Sequence, residues 1–444
     1  MSRDSIPDVP VFTPGTDGYQ RATSPHNTVA RQEPALVAAP ATAEQAAACV
    51  RHAAEHGLRV VPQATGHGAA AGLGGDVLLL DTSGLSSIEI DAPHRTARAG
   101  AGCQWGDVDA AAFRHGLLGR AGSAPDVGIT GFTFGAGAGW LTRPWGLASG
   151  ALSAVGYVNG NGELRRAADD ASEQIDRDVI WACRGGGGVG IATSLEFDLV
   201  PVDDLWAGLR LWPAEHLPAV TAAWAASLPR FGPAMCTSIS LLTAPPVPLI
   251  PADLHGQRVV HLAMASSTGQ ADARALLEAL DDVPAPAVDT WGRTDVAGLG
   301  QIHLDPPSPV PAAGRGRWLD GTAAGHALEI LQAALDSRIL MIEIRNVAND
   351  APVRPGALDR APGDFMLHAV GAPGEDGDVA ALDRDIDAAF APAAPSDTGL
   401  AIGSWCDGRA SVPGALPAGV RDRVGAIADA VDPGPILARS PLLS

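Results

Sequence analysis

Three glycine-rich segments within residues 66–190 constrain this chain more than any other feature of its sequence. Each of them adjoins a stretch that is typical of a strand. Glycine lets backbone N–H groups approach a phosphate or a ring without interference from Cβ. One such run is as often a simple turn, but three runs joined to strands indicate a large bound nucleotide. The runs are GHGAAAG at 66–72, GITGFTFGAGAG at 128–139 and RGGGGVG at 184–190.

The first run matches the G-x-G-x-x-x-G pattern of a Rossmann dinucleotide site. That site requires a helix directly after the glycines, with its N-terminus facing the pyrophosphate. Here the strand-like stretch VLLLD at 77–81 follows instead. A Rossmann fold is therefore excluded by context, and the nucleotide must be held in another way.

The length and net charge of the chain exclude some classes of function. A chain of 444 residues is long enough for two domains with separate cores. Its formal net charge of −20 repels phosphate backbones and anionic lipid, so no nucleic-acid or membrane partner is expected. The first residues contain no apolar segment of the kind found in signal peptides. We expect a cytoplasmic protein that is a monomer or a homodimer.

Local patterns predict the main elements of the first 200 residues. Thr42 and Gln45 form a capping-box pattern and Gly57 is placed as a helix C′ residue, which predicts a helix over 43–56. Strands are predicted at 58–62, 77–81, 88–90, 97–101 and 191–199, a helix at 105–115 and a hairpin around 159–162. From about 204 to 395, proline-rich loops separate helices from strands such as 259–263 and 339–345, and a last helix is predicted at 418–431.

Three longer segments resemble, in order and spacing, the FAD-binding segments of berberine-bridge-like FAD oxidoreductases, which belong to the vanillyl-alcohol-oxidase or PCMH-type superfamily. They are VPQATGHGAAAG (61–72), WGDVDAAAFRHGLLGRAGSAPDVGITGFTFGAGAGWLTRPWGLA (105–148) and DVIWACRGGGGVGIATSLEFDLVPV (178–202). The resemblance covers residues 10–202 well and 203–395 more weakly.

The resemblance implies an α+β fold in three parts. Residues 1–203 would form a two-subdomain, PCMH-type FAD-binding domain. Residues 204–395 would form a substrate domain, an antiparallel sheet backed by helices. Residues 396–444 would return to the FAD-binding domain.

The resemblance also implies a set of cofactor contacts. The histidine matching His67 attaches to the flavin 8α-methyl group in the family. Members with a second link carry a cysteine where this chain has Ala124, so a single covalent link through His67 is expected. Val127 occupies the position where a small residue admits O₂. The implied cofactor-binding residues are Gln63, Ala64, Thr65, Gly66, His67, Gly68, Ala69, Ser123, Pro125, Val127, Gly128, Gly131, Phe132, Gly135, Gly139, Trp140, Gly188, Val189, Gly190 and Ile191.

The chain departs from the family pattern at two places in the cofactor loops, and it lacks the residue that is expected as the catalytic base. Val189 alone separates Gly188 from Gly190, so the third loop is one residue short, and Phe132 occupies a position that the family often fills with a hydrogen-bonding His or Tyr. The family's C-terminal catalytic tyrosine is absent, because the two tyrosines of the chain are Tyr19 and Tyr157.

Glu343 and Arg345 are the predicted catalytic residues. The alternation of strand 339–345 places Met341, Glu343 and Arg345 on one face. If that face covers the flavin, Glu343 is the general base and Arg345 orients the substrate or lowers the carboxylate pKa. The alternative is a structural ion pair on an exposed face.

Two histidines and two tryptophans are secondary candidates. His303 and His368 could replace the base or serve as structural histidines. Trp291 and Trp405 could form an aromatic wall for a flat substrate or belong to the core.

Taken with the resemblance, these residues predict an FAD-dependent oxidase. It would take a hydride from a small secondary metabolite or sugar alcohol and pass the electrons to O₂. The missing tyrosine and the short loop keep two alternatives open: a non-redox cyclase or isomerase that uses FAD as a scaffold, and an inactive flavin-binding protein.

Overall fold

The computed structural model describes residues 4–374 and 378–444. Its strands are β1 (Val11–Phe12), β2 (Leu36–Ala38), β3 (Arg59–Gln63), β4 (Val77–Asp81), β5 (Ile88–Asp91), β6 (Thr96–Gly100), β7 (Leu117–Leu118), β8 (Leu152–Val158), β9 (Leu164–Ala168), β10 (Ile191–Asp198), β11 (Val200–Pro201), β12 (Trp206–Pro213), β13 (Cys236–Thr243), β14 (Arg258–Ser266), β15 (Val288–Asp289), β16 (Gly292–Arg293), β17 (Ala313–Leu319), β18 (Ile339–Asn346), β19 (Phe365–Gly371) and β20 (Asp397–Ala401).

The α-helices of the same residues lie mostly between these strands. They are α1 (Asp17–Ala22), α2 (Ala43–His56), α3 (Trp105–Phe113), α4 (Ile129–Phe134), α5 (Thr142–Trp145), α6 (Ala148–Ala151), α7 (Gln174–Cys183), α8 (Leu217–Ser227), α9 (Arg274–Ala279), α10 (Val296–Leu299), α11 (Ala327–Gln332), α12 (Ala380–Phe390) and α13 (Ala418–Val431).

A small sheet in the order β1-β2-β4-β3 forms the first subdomain, with β2, β4 and β3 parallel. Helix α2 packs on it and begins and ends where the sequence predicts. The Thr42 hydroxyl accepts a hydrogen bond from the Gln45 N–H (3.2 Å), and Gly57 adopts the left-handed conformation that closes the helix. The predicted helix over 43–56 is confirmed.

A five-stranded antiparallel sheet, β5-β6-β10-β8-β9, forms the second subdomain. The predicted alternation of β10 is present, because Leu195 and Phe197 are buried while Glu196 and Asp198 are partly exposed. The hairpin predicted around 159–162 connects β8 to β9. The two subdomains hold all three glycine-rich segments.

The largest sheet is antiparallel and runs β15-β12-β14-β13-β18-β19-β17-β20, with β16 beside β12. Helices α8, α9, α11 and α12 cover one face and share a core with inward residues such as Ile342 and Ile344. Residues on the opposite face, including Trp318 and Met366, pack against 136–147 of the glycine-rich region. The predicted α+β fold with an antiparallel sheet backed by helices is confirmed.

The C-terminal segment contacts both halves of the molecule. Strand β20 extends the large sheet by pairing with β17, and α13 then packs beside α7. Beyond α13, the Val60 N–H donates to the Ile436 carbonyl (2.8 Å) and the Ala438 N–H donates to the Val60 carbonyl (2.9 Å), so this segment lies along β3. No helix among the described residues is both long and apolar enough to span a bilayer.

Candidate functional site

The first glycine-rich segment is the loop that follows β3. Gly66 has φ +78°, and a Cβ there would lie 2.5 Å from Cβ of Pro25, so both conformation and space require glycine. The His26 N–H donates to the Thr65 carbonyl (3.2 Å) and the Asn27 N–H donates to the Gly66 carbonyl (3.2 Å). The backbone of 25–27 therefore fixes the course of this loop.

A cleft of about 370 Å³ opens beside the same loop. Gln63, Ala64 and Thr65 line it from the loop, and Arg21 and Ser24 line it from α1 and the residues after it. The cleft thus places one cation, Arg21, and the polar side chains of Ser24, Gln63 and Thr65 near the carboxylate of Asp81.

The second segment is held against the first by its own backbone. The Gly128 N–H donates to the Thr65 hydroxyl (3.3 Å). The start of α3 anchors the preceding residues, since the Trp105 N–H donates to the Val127 carbonyl (3.0 Å) and the Gly106 N–H donates to the Pro125 carbonyl (2.7 Å). Residues 123–128 are therefore clamped between α3 and the first loop.

The third segment joins the second at α4. The Gly187 N–H donates to the Phe134 carbonyl (2.8 Å), and a Cβ on Gly188 would overlap the Phe134 ring. Val189 is buried, and the chain enters β10 at Ile191. The shortened third loop is thus a tightly packed support for the second segment.

Two of the predicted cofactor glycines lie beside open space. A Cβ on Gly68 or Gly131 would meet no atom within 4 Å, whereas one on Gly139 would overlap the Ala121 carbonyl oxygen. Gly68 and Gly131 belong to the first and second segments, which contact each other. An extended nucleotide can therefore approach the backbone at this junction, and the residues present fit FAD.

His67 lies at this junction and contacts two other titratable residues. Its ring stacks on that of His26 with centroids 3.7 Å apart and an interplanar angle of 13°. His67 Nε2 lies 3.2 Å from one carboxylate oxygen of Asp126, and His26 Nε2 lies 3.4 Å from the other. These three residues are partly buried, so the cluster is accessible to a ligand.

Three such side chains are a possible metal-ligand set, since their donor atoms lie within 4.8 Å of one another. Imidazole binds a metal in the plane of its ring, and two nearly parallel rings 3.7 Å apart cannot both do so with one ion. The observed arrangement of His26 and His67 therefore disfavours a metal.

The predicted catalytic pair lies on the large sheet, on the face opposite its helices. Glu343 and Arg345 are 0% and 1% exposed. The Arg345 guanidinium donates from Nε to Glu343 Oε1 (2.9 Å) and from Nη2 to Oε2 (3.1 Å). It lies over the ring of Trp140, 4.0 Å from the centroid, and 5.0 Å from that of Trp405. The pair does not lie on an exposed face, as the alternative expected, because the sheet face is buried against the glycine-rich region. Its catalytic role stays a prediction.

His303 extends this ion pair into a buried chain of charges. Its Nδ1 lies 2.7 Å from Asp305 and its Nε2 lies 3.1 Å from Glu343, so each ring nitrogen faces a carboxylate. Asp305 in turn contacts Ser123, which precedes the second glycine-rich segment. The charged face of the sheet is thereby connected to the predicted cofactor loops.

Burial and charge act in opposite directions on these groups. Burial would lower the pKa of His303, but Asp305 and Glu343 outweigh it and raise the pKa to about 9. Burial would raise the pKa of Glu343, but Arg345 and His303 hold it well below its usual range. At neutral pH the proton therefore resides on His303 and Glu343 is ionised.

His368 is a second buried histidine with a carboxylate partner. Its Nε2 lies 2.9 Å from Asp407, and its ring centroid lies 4.8 Å from that of Trp405. Its Nδ1 is buried with no hydrogen-bond partner among the described residues. In the sheet register His368 lies directly opposite Glu343, so both side chains face the glycine-rich region.

Further polar side chains continue this row across the sheet. Ser240 pairs with Glu343 in register and with His261 on the other side, and Ser238 pairs with Arg345. The hydroxyls of both serines and the Nδ1 of His261 are buried without a partner among the described residues. Burial lowers the pKa of His261 to about 4, so it is neutral. Unsatisfied buried polar groups on adjacent strands favour a ligand site over a purely structural one.

The two candidate tryptophans lie in different parts of the molecule. Trp405 contacts His303, His368 and Arg345, whereas Trp291 packs on Trp206 and the helix-side core. They do not form one wall.

Both tyrosines have structural partners. The Tyr157 hydroxyl donates to Asp176 (2.7 Å) and the Tyr19 hydroxyl donates to the Pro34 carbonyl (2.8 Å). Neither replaces the missing catalytic tyrosine.

The structure brings the predicted cofactor residues together in three contacting groups, and Phe132 packs edge-on against Trp105 rather than facing a polar partner. Sequence reasoning did not single out His26, Asp126, Asp305 or Asp407. Asp126 could have been noticed, since it directly follows the predicted contact Pro125. The groups, in chain order, are Gln63, Ala64, Thr65, Gly66, His67, Gly68 and Ala69; Ser123, Pro125, Val127, Gly128, Gly131, Phe132, Gly135, Gly139 and Trp140; and Gly188, Val189, Gly190 and Ile191.

Comparisons with known proteins also indicate an FAD binding domain in this part of the chain. The FAD binding domain family matches residues 34–168. An FAD-linked oxidoreductase of Dictyostelium discoideum is 30% identical over 205 residues, and (R)-6-hydroxynicotine oxidase of Paenarthrobacter nicotinovorans is 31% identical over 207 residues. Each alignment covers 46% of this chain and 44% of the relative, so the match spans less than half the length of these curated relatives.

A comparison of structures extends over the whole chain. The crystal structure of 6-hydroxy-D-nicotine oxidase from Arthrobacter nicotinovorans superposes with a TM-score of 0.84 at 22% identity, covering 99% of this chain and 98% of that one. This likeness establishes the fold. Residues 34–168 match the FAD binding domain family, and the chain is similar in sequence to FAD-linked oxidoreductases over 46% of its length.

Proposed function

We propose that this protein is an FAD-dependent oxidase of a small molecule, a secondary metabolite or a sugar alcohol, with O₂ as electron acceptor. One observation carries the proposal: the residues flanking the second glycine-rich segment, Ser123 and Trp140, contact a buried row of charged and unsatisfied polar side chains on the large sheet. A cofactor and a polar substrate would meet between them. Bound FAD would supply the acceptor for a substrate hydride and return its electrons to O₂.

His67 is the residue proposed to hold the cofactor covalently. It lies in the first glycine loop, next to the open junction at Gly68 and Gly131. Ala124 offers no sulfur for a second link. A single link would prevent loss of the cofactor and raise its reduction potential, which favours hydride abstraction from a poor donor.

The geometry favours His368 over Glu343 as the base that removes the substrate proton. Both oxygens of Glu343 are engaged by Arg345 and His303, and its low pKa makes it a weak base. Both nitrogens of His303 face carboxylates. His368 retains a free Nδ1, because Asp407 engages its Nε2. Asp407 would be a positioning residue, and Glu343 as base remains the alternative.

The other charged groups have a proposed electrostatic role. The Glu343–Arg345 pair and His303 present a fixed, water-excluding array to the substrate. Val127, beside the second loop, is small enough to leave room for O₂, which favours an oxidase over a dehydrogenase.

Anaerobic mixing tests the proposed chemistry. Purified holoprotein would be mixed first with 6-hydroxynicotine, the compound in a relative's name, and then with a panel of aromatic alcohols and oligosaccharides. Loss of flavin absorbance near ~450 nm, restored by O₂, supports hydride transfer. Product formation without bleaching would instead indicate a scaffold role in a cyclase or isomerase, and tight binding without product would indicate an inactive homologue.

A further inference from the structure

The segment 303–312 runs from the large sheet to the first cofactor loop. It begins at His303, whose Nε2 lies 3.1 Å from Glu343 of β18. Near its other end the Val310 N–H donates to the His26 carbonyl (3.0 Å), within the residues that fix the first glycine-rich loop. The segment therefore connects the charged row of the sheet to the part of the molecule that would hold the cofactor.

Asp305 lies within this segment, between the sheet and the loops. Its Oδ1 lies 2.7 Å from His303 Nδ1, and its side chain lies against Ser123, which precedes the second glycine-rich segment. Its Oδ2 is buried and has no well-aligned hydrogen-bond partner among the described residues. Leu304, between the histidine and the aspartate, has φ +64°, which a leucine rarely adopts. Such a conformation persists where the surroundings fix it, and here it lets the two side chains meet.

The contacts of His303 require a protonated ring. An ionised carboxylate only accepts hydrogen bonds, and a neutral imidazole has one N–H to donate. Since the two nitrogens of His303 face two carboxylates, Asp305 and Glu343, both contacts are satisfied only when both nitrogens carry hydrogen. Burial lowers the pKa of His303, but the two carboxylates outweigh it and raise the pKa to about 9. Geometry and charge thus agree on an imidazolium that is 4% exposed.

The charged groups around His303 cancel one another. We call Asp305, His303, Glu343 and Arg345 the charge cluster. Burial would raise the pKa of Asp305, but His303 outweighs it and lowers the pKa, so both carboxylates of the cluster are ionised. His261 of β14 also interacts with His303, but burial lowers its pKa to about 4 and it carries no charge at neutral pH. The charge cluster is therefore neutral only while His303 keeps its proton.

The remaining neighbours of His303 belong to the loops. The rings of Trp140 and Trp405 meet it edge-on, with centroids at 6.1 and 5.8 Å, and carry no charge. Asp407, on the segment that carries Trp405, interacts with Asp305 and is paired with His368 (2.9 Å). Among the described residues, the carboxylates that contact the nitrogens of His303 are thus the two of the charge cluster.

The charge of this cluster matters because the cluster adjoins the cofactor loops. Reduction of FAD adds negative charge at neutral pH, and charged groups near the flavin ring tune its reduction potential. Little water screens a charge in a buried site, so each charge acts strongly there. If His303 lost its proton at neutral pH, the charge cluster would become negative and would oppose reduction of the cofactor.

We propose that Asp305 is a positioning residue that keeps the proton on His303, so that the charge beside the cofactor stays constant while the substrate reduces it. The proposal rests on the proposed function, in which FAD is bound and reduced at this junction. Glu343 is a shared partner, because Arg345 engages both of its oxygens. Asp305 supplies the second acceptor and places it against the cofactor segment at Ser123.

The position of the proton can be measured in the wild-type holoprotein. Nitrogen NMR of isotopically labelled imidazoles distinguishes a protonated ring from a neutral one, and His303→Asn identifies the signal of His303. We expect both nitrogens to stay protonated until the pH approaches 9. In Asp305→Asn the acid dissociation constant of His303 should rise about 10- to 1,000-fold, because an opposite charge in contact is removed. Wild-type protein in which His303 is neutral at neutral pH would overturn the proposal without any variant.

A second measurement tests the effect on the cofactor. The reduction potential of bound FAD would be recorded against pH by titration with dithionite, followed by flavin absorbance. The slope should change near pH 9 in wild type, at the lower pH where His303 titrates in Asp305→Asn, and not at all in His303→Asn. Asp91→Asn is the matched control, since it removes a carboxylate 2.8 Å from the exposed His94, and should give the wild-type curve.

The outcomes separate this proposal from the proposed function. A titration of His303 that is unchanged in Asp305→Asn would overturn the proposal. A titration that moves while the potential curve does not would make Asp305 a structural partner only, which also overturns it. Protein that behaves as expected in both measurements but oxidises no substrate would contradict the proposed function alone. Protein that binds no FAD would contradict both.

Discussion

Removing the Glu343 carboxylate should destabilise the fold strongly, because it strands a buried charge. The Arg345 guanidinium is 1% exposed, and its Nη1 has no hydrogen-bond partner among the described residues. Without Glu343, its remaining support is the faces of Trp140 and Trp405, at 4.0 and 5.0 Å. Cation–π contacts contribute about 0.5–2 kcal/mol, whereas breaking a buried ion pair costs about 3–5 kcal/mol. The indole rings therefore cannot compensate.

We expect Glu343→Leu to lower the free energy of unfolding by about 3–5 kcal/mol. The assay is urea unfolding of the holoprotein followed by tryptophan fluorescence. The double variant Glu343→Leu/Arg345→Met removes both charges and should regain most of the loss, because an apolar pair of similar volume is often as stable as a buried ion pair. A single variant within about 1 kcal/mol of wild type, or a double variant less stable than the single one, would show that Arg345 is not left as a costly buried charge.

Four further results are expected. The pKa of His303 is raised to about 9 in the folded state, so His303 contributes stability that is full below pH ~6.5 and is lost as pH rises toward 9. The free energy of unfolding should change by at most about 1.4 kcal/mol per pH unit in this range. His303→Asn should abolish this pH dependence of unfolding. Gly139→Ala should cost about 3 kcal/mol in thermal unfolding, because its Cβ would overlap the Ala121 carbonyl, and a wild-type melting temperature would contradict this. His368→Ala should slow anaerobic flavin reduction on the order of 100-fold, and added imidazole should restore part of the rate; no rescue would point to a structural role. Val127→Phe should slow reoxidation by O₂ while leaving reduction by substrate unchanged in stopped-flow absorbance, and unaltered reoxidation would remove Val127 from the oxygen path.

The elements that the sequence predicted best are those set by local interactions. Helix α2 has its cap at Thr42 and its left-handed Gly57 within the segment itself, and β10 has an alternation that any half-buried strand requires. The irregular stretch 119–146 was harder to predict from the sequence. It contains the short helices α4 and α5. Contacts from distant parts of the chain hold it in place, such as the hydrogen bond from the Trp405 indole N–H to the Ala138 carbonyl (3.1 Å).

The candidate site also contains features that local sequence predicts and features that depend on distant contacts. Glycine spacing identified the loops, and β alternation placed Glu343 and Arg345 on one face. That face is buried because it packs against Trp140, about 200 positions away in the chain. The periodicity of a strand does not predict which distant segment covers it.

The partners of the histidines were not predictable for a related reason. Asp126 and Asp407 acquire their roles only where loops meet, at His67 and His368 respectively. An isolated aspartate in a loop is typical of a turn and gives no signal of such a contact.

The most direct test of the account is the fate of the flavin when the protein is denatured. Purified wild-type protein and His67→Ala would be run in SDS under acid, and the protein bands examined for flavin fluorescence. We expect fluorescence in the wild-type band and none in the band of the variant. Wild-type protein that loses all its flavin would contradict the covalent link, and protein that holds no flavin before denaturation would contradict the assignment of an FAD-dependent enzyme.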